Sequence, residues 1–499
     1  MKYLWVFFVA FCFAPSIAFA YLDPGTGSLL LSSVIALAAS GVFFFKGVFY
    51  TLISLIGGGG GSLKGKAENQ GLVFYSEGKQ YHNVFKPILA YLDSVSYPYT
   101  YLTSSREDFH LYISADSIHD VNSRAVKAIL SSNPNAEFEY IGDSDSPKAI
   151  SRLNRLVADV VMMSTPQLDV LQIKRSKGVK HYCHIIHSLP HVDIYEIFAL
   201  DCFDSVFTNS TIHTDFIRKV EKVRNLPAKK VIITGCTYLD ILQEKLHKYQ
   251  KLEHDKKIHF FPKNEKKTTI LLAPSWGREA LLSKYGMQLI EPFIESQFNL
   301  IIRPHPQSYV SQKELLDSLQ EQTKECKNIV WDNNTDNIYA LDSADIMIGD
   351  FSGVLFDFIC LFEKPVLTPI FTFNITGYDL EDIYDTPWVK DALTKIGKSI
   401  EPSEFINLPH IIESLLQDKE AFYSLEQSIK EMKKLLWEYQ GISGIKSAQE
   451  ILQIQKQILE SRLQEKINIH NNINTINKAL ESMAQIFYKK SVNPDSIKA

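Results

Sequence analysis

Short β-branched apolar runs alternate with helix-length segments along most of this chain, and that alternation is what most restricts its fold. The runs 71–75, 138–141, 159–163, 181–186, 205–208 and 230–234 are each followed by enough residues for a crossover helix. Strands spaced this way pair in parallel through βαβ units. The charged stretch 254–267, with Pro262 inside it, interrupts the rhythm as an interdomain linker would. The rhythm restarts at 268–273, 299–302, 328–331, 345–348 and 365–369. The expected class is therefore α/β, with two Rossmann-like domains facing each other across a cleft, at 66–265 and 266–400 (GT-B type). Beyond 401 the pattern turns helical, and the stretch from Gln417 to about Phe487 is polar enough for surface helices or an amphipathic pair.

Residues 1–65 read differently. Lys2 precedes an apolar run over 3–19 that ends in Ala18-Phe19-Ala20, the pattern of a signal peptide or of a first membrane helix. A second apolar run, 28–56, is interrupted by one charge, Lys46, and is long enough to cross a bilayer. The glycines from Gly57 to Gly61 form a flexible linker, and Lys64 and Lys66 beyond it favour a cytoplasmic side for the rest of the chain. Six cysteines without C-x-x-C spacing argue against a disulfide framework and a zinc site, in keeping with a reducing compartment. A net charge of −5 with no strongly basic stretch argues against nucleic-acid binding.

Three segments carry candidate chemistry. Arg303-Pro304-His305-Pro306 follows a buried-strand pattern, so its prolines hold a guanidinium and an imidazole at the sheet edge. Such a fork of donors suits phosphate oxygens, and the imidazole can donate to them or move a proton. A purely structural turn is the competing reading. Asp350-Phe351-Ser352-Gly353 lies between an apolar strand and an apolar helix pattern, which places Ser352 at an N-cap and the free N–H groups of Ser352, Gly353 and Val354 where a pyrophosphate can bind. A capped helix without a ligand is the alternative there. His187, at the end of the 181–186 run, is placed to reach the cleft as a general base, with His184 and His191 as wall or core residues. The four histidines 181, 184, 187 and 191 do not share one face, and no metal or cofactor site is readable. Ser275 and Arg278, after the first strand of the second domain, are further candidates for the cleft wall.

In this order the motifs resemble those of the CDP-glycerol glycerophosphotransferases, the teichoic acid primases and polymerases. Arg303-Pro304-His305-Pro306 is similar to the family's R-P-H-P. The segment 344–365, ADIMIGDFSGVLFDFICLFEKP, is similar to its D-x-L-I-T-D-Y-S-S-x-x-F-D-x-x-x-L-x-K-P signature, and Leu271-Leu272-Ala273-Pro274-Ser275-Trp276 to its Y-A-P-T-W. The family's W-H-G-T-P stands here as Ile186-His187-Ser188-Leu189-Pro190, its G-Y-P-R-x-D as Gly235-Cys236-Thr237-Tyr238-Leu239-Asp240, and its second donor-loop serine as Gly353.

The resemblance implies a bacterial inner-membrane enzyme with cytoplasmic catalytic domains. It would move a glycerophosphate or related polyol phosphate from a CDP-linked donor to a hydroxyl of a lipid-linked or surface-polymer acceptor and release CMP. His187 and His305 would be catalytic; Arg303, Ser352, Gly353, Asp350, Ser275 and Arg278 would bind the donor; the 66–265 domain would serve the acceptor and 266–400 the nucleotide. Two rival readings share the fold: a nucleotide-sugar glycosyltransferase or UDP-sugar 2-epimerase, and a membrane-anchored binding protein without turnover.

Overall fold

The computed structural model describes residues 69–112, 126–127, 133–187, 189, 191–262, 267–370, 375–383 and 386–492. Both apolar runs expected to meet a membrane lie outside these residues. Among the described residues no helix is long and apolar enough to cross a bilayer.

Two sheets organise the chain. The first holds β1 (Leu72–Ser76), β2 (Tyr99–Thr103), β3 (Val126–Lys127), β4 (Ala136–Tyr140), β5 (Val157–Met163), β6 (Gly178–Ile185), β7 (Ser205–Thr208) and β8 (Lys230–Ile233), in the order β3-β4-β2-β1-β5-β6-β7-β8. All its pairings are parallel except β3 with β4. The second holds β9 (Thr269–Leu272), β10 (Asn299–Ile302), β11 (Ile329–Trp331), β12 (Ile346–Ile348), β13 (Val366–Pro369) and β14 (Gly397–Ile400), in the order β11-β10-β9-β12-β13-β14, parallel throughout. Every residue of β1, β2, β9, β10 and β12 is buried, as strands covered on both faces must be. In each sheet the strand order reverses beside the first strand, between β1 and β5 and between β9 and β12. In open α/β sheets ligands bind outside the carboxyl ends of the strands at such a reversal.

The C-terminal helices join the two halves. The helices around the site and its supports include α1 (His82–Ser94), α2 (Thr237–Gln250), α3 (Val354–Phe362), α4 (Leu408–Gln417), α5 (Lys419–Leu436) and α6 (Ser443–Val492). On α5, Ile429, Met432 and Leu436 pack into the core around Leu355 and Phe356 of α3. On α6, Ala448, Ile451 and Ile454 pack with Val84 and Phe85 of α1, beside the first sheet. The expected amphipathic pair is thus resolved into α5 on the second half and α6 on the first.

Asp240 of α2 fixes the turn between them. Its carboxylate accepts from Trp437 Nε1, from the Gly441 N–H and from the Ser443 N–H, each at 2.9 Å. Gly235, at φ +84°, has no room for a side chain, since a Cβ would stand 2.2 Å from the Glu438 carbonyl oxygen.

Candidate active site

A cavity of about 560 Å³ opens between the carboxyl ends of the two sheets. His187, Gln80 and Asn83 line it from the first half, with Tyr238 and Lys245 of α2. Arg303, His305, Ser352, Gly353 and Asp357 line it from the second. Two motifs more than a hundred residues apart in sequence from His187 therefore meet it across one space.

The backbone places Arg303 directly after β10, where its N–H extends the ladder by donating to the Leu272 carbonyl at 2.9 Å. Its guanidinium is oriented from below: one nitrogen pairs with Asp332, whose side chain is fully buried, and another donates to the Asn334 carbonyl at 2.9 Å. A planar fork held on one edge keeps its remaining N–H groups for the cavity. His305 is half-buried, which lowers its pKa. Its Nδ1 accepts from the Gln307 N–H at 3.1 Å, so in the neutral ring the proton sits on Nε2 as a donor. Trp276, half exposed, stacks on that ring at 6.2 Å.

The start of α3 differs from the sequence expectation. The helix begins at Val354, Gly353 takes the N-cap position, and the Ser352 hydroxyl makes no capping bond. Asp350 does the structural work at this turn. It accepts from Ser275 N and Oγ at 2.9 and 2.8 Å, from Leu281 N at 3.2 Å and from Ser352 N at 3.2 Å. These bonds weld the loop after β9 to the loop after β12 at the strand-order reversal. Burial raises the Asp350 pKa and the four bonds oppose that rise. Asp350 and Ser275 are bonded to each other and buried, and are not among the residues lining the cavity. Arg278 is exposed and is likewise not among the lining residues.

His187 sits between two tyrosines, with Tyr81 edge-on at 5.0 Å and Tyr195 stacked at 6.2 Å. Nδ1 is enclosed, which leaves Nε2 as the nitrogen available to the cavity. Burial pulls its pKa down to about 4, against a smaller opposite pull from the Ser164 backbone, so the ring is neutral at ordinary pH. His184 is fully buried behind it, with a pKa pulled down to about 3 chiefly by burial. His191 is also buried, and donates through Nε2 to the Ile212 carbonyl at 2.8 Å while its Nδ1 accepts from Asp193 N at 3.2 Å. Among the described residues no group of three His, Cys, Asp or Glu side chains is disposed to hold a metal ion.

Sequence reasoning missed Asp357 and Lys245. Asp357 is the one acidic residue in α3, VLFDFICLF, and a lone acid in an otherwise apolar buried helix was a usable signal. Burial raises its pKa to about 7, and its nearest described donor is the Tyr238 hydroxyl at 3.4 Å, from the other half of the molecule. Lys245 reaches across to Asp336 at 2.7 Å, both being part of the wall. Nothing in the spacing of α2 pointed to Lys245.

The family of CDP-glycerol:poly(glycerophosphate) glycerophosphotransferases matches residues 68–382, well over half the chain. The chain belongs to this family. It is a CDP-glycerol glycerophosphotransferase-like enzyme. Among solved structures it is similar to the wall teichoic acid polymerase TagF, in a CDPG-soaked form, with a TM-score of 0.50 at 14% identity over 86% of this chain and 98% of that one. That similarity speaks to the fold, two facing α/β halves of the GT-B kind. A UDP-GlcNAc 2-epimerase from Neisseria meningitidis aligns at a TM-score of 0.49 and 15% identity, over 77% of this chain and 99% of that one. No curated protein sequence matches the chain.

Proposed function

We propose that the cavity is where a glycerophosphate, or a related polyol phosphate, passes from a CDP-linked donor to an acceptor hydroxyl. The observation that carries this reading is the meeting of His187 with Arg303, His305 and the start of α3 in one cavity between two strand-order reversals. The donor diphosphate would lie against the α3 N-terminus, where the Gly353 and Val354 N–H groups and the helix dipole favour negative charge. Arg303 and the Nε2–H of His305 would bind the phosphoryl group that moves, stabilising the charge that builds as the bond to CMP loosens. The acceptor oxygen attacks the β-phosphorus, the P–O bond to the bridging oxygen breaks, CMP leaves, and the acceptor proton goes to Nε2 of His187. Burial keeps His187 neutral and so free to accept a proton at ordinary pH, while making it a weaker base than an exposed imidazole.

The membrane belongs to this proposal too. The apolar runs at 3–19 and 28–56 would hold the enzyme at the bacterial cytoplasmic membrane, with the two α/β halves in the cytoplasm. An acceptor carried by a lipid or a growing surface polymer would then share a plane with the enzyme, which raises its effective concentration. Within this reading, 66–265 serves the acceptor and 266–400 the nucleotide.

The test is CMP release from CDP-glycerol by the full-length protein in membranes carrying a lipid-linked acceptor, compared with CDP-ribitol and UDP-N-acetylglucosamine as donors. Acceptor-dependent CMP release that His187→Ala lowers by about 10²–10⁴-fold supports the reading. UMP or UDP release from the sugar nucleotide, with CDP-glycerol left intact, would replace it.

A further inference from the structure

The far part of α6 carries an apolar seam that its own chain leaves open. Along the near part, Gly444, Ala448, Ile451, Gln455, Ile458 and Arg462 follow in alternating steps of four and three residues on one face. That face is seated on the first half: Gly444 lies against Pro87, the Gln455 side chain accepts from Tyr97 Oη at 3.0 Å, and Arg462 pairs with Asp159. Seven residues after Arg462 the same face resumes at Ile469 and runs through Ile473, Ile476, Leu480 and Met483, in steps of four, three, four and three. Here nothing described covers it. Every residue from 463 to 485 is exposed, and these five large apolar side chains are between 49% and 58% exposed.

We propose that this seam pairs with the same segment of a second copy of the chain, in a coiled coil that makes the enzyme an oligomer. A strict four-three alternation is the heptad pattern, whose partner must be another helix of the same period. The width of the seam and its flanks choose among occupants. A helix lying on an anionic bilayer has a broad apolar face and a polar face rich in Lys and Arg. Residues 469–484 instead carry one narrow strip and only two charges, Lys478 and Glu481. The flanking positions are His470, Asn472, Asn477, Ala479 and Ala484, so at neutral pH no like charges oppose an identical neighbour across the seam. An isolated helix of this kind owes most of its stability to packing of its apolar face, which a second copy supplies.

The experiment is the molar mass of the full-length protein in detergent, by light scattering with the detergent contribution subtracted, alongside Ile473→Glu/Leu480→Glu. A control, Asn474→Glu/Thr475→Glu, adds the same charge off the seam. The expected result is a mass of two or more chains that falls to one chain in the seam variant alone, with the melting temperature and CDP-glycerol turnover unchanged. A single-chain mass for the unsubstituted protein overturns the proposal. So does an assembly that survives the seam substitutions, since it would be held elsewhere.

Discussion

Asp357 gives the sharpest prediction at the scale of single residues. Its carboxyl binds a proton more tightly in the folded chain than in the unfolded one, with a pKa raised from 3.8 to about 7. A raised carboxyl favours the fold while protonated, so this contribution is present at low pH and lost as pH rises from about 4 through about 7. At about 1.4 kcal/mol per unit, the shift of about 3 units sets an upper bound near 4 kcal/mol. Asp357→Asn should therefore raise the melting temperature at pH 8 and change it little at pH 4, as measured by calorimetry across that range. For His187 the expectation is an acidic limb of kcat/KM well below the ordinary histidine value, near pH 4, because burial disfavours its charged form. Arg303→Ala should cost roughly 3–5 kcal/mol of stability besides donor binding, since it leaves the buried Asp332 without its cation, with only the Asn334 donors bound to it among the described residues. The sequence showed His187, Arg303, His305, Ser352 and Gly353 as cavity candidates because each follows a recognisable strand. It did not separate them from Asp350 and Ser275, whose residue types suit a ligand equally well but whose hydrogen bonds are spent on each other.

Among the elements, most strands were legible because parallel strands buried on both faces are unbroken apolar runs. β2, Tyr-Thr-Tyr-Leu-Thr, was not, although it pairs with β1 at the centre of the first sheet. Its hydroxyl-bearing side chains and the flanking Pro98 and Ser104-Ser105 break the apolar run that marks the other strands. Burial in the fold is compatible with those hydroxyls because some of them find partners, as Tyr101 Oη does with Asp108 at 2.9 Å. β14, Gly-Lys-Ser-Ile, was missed for want of apolar residues, being an edge strand with one buried side chain. The turn from α5 to α6 was also beyond sequence reasoning, since Asp240 stands about two hundred residues from the groups it binds. Asp240→Ala should leave three donors without their acceptor and lower stability by about 2–4 kcal/mol, a loss that denaturant unfolding would register. A destabilisation under 1 kcal/mol would mean water replaces the carboxylate there without cost.

Across the whole molecule, several polar contacts hold the two halves around the cavity. Arg224, from the first half, pairs with Asp201 and reaches Asp379 and Asp382 of the segment after β13. The Trp388 N–H donates to Asp193 at 2.7 Å, and Lys245 and Tyr238 span the gap to Asp336 and Asp357. Together with α5 and α6 these contacts set how far apart His187 and the Arg303 motif stand, so the facing walls of the cavity are held in one prepared geometry. The central claim is that a CDP-linked donor occupies this cavity. Its most direct test is the melting temperature of the full-length protein with CDP-glycerol, CDP, UDP and UDP-N-acetylglucosamine, for the unsubstituted chain, His305→Ala and Ser352→Ala. At a hundred times its Kd a ligand adds about 2.7 kcal/mol to the native state. The account predicts a rise of several degrees with CDP-glycerol, a smaller one with CDP, loss of most of that rise in His305→Ala, and a smaller loss in Ser352→Ala, which keeps the backbone N–H groups. Stabilisation by the UDP ligands alone, or by CDP-glycerol equally in all three proteins, would contradict it.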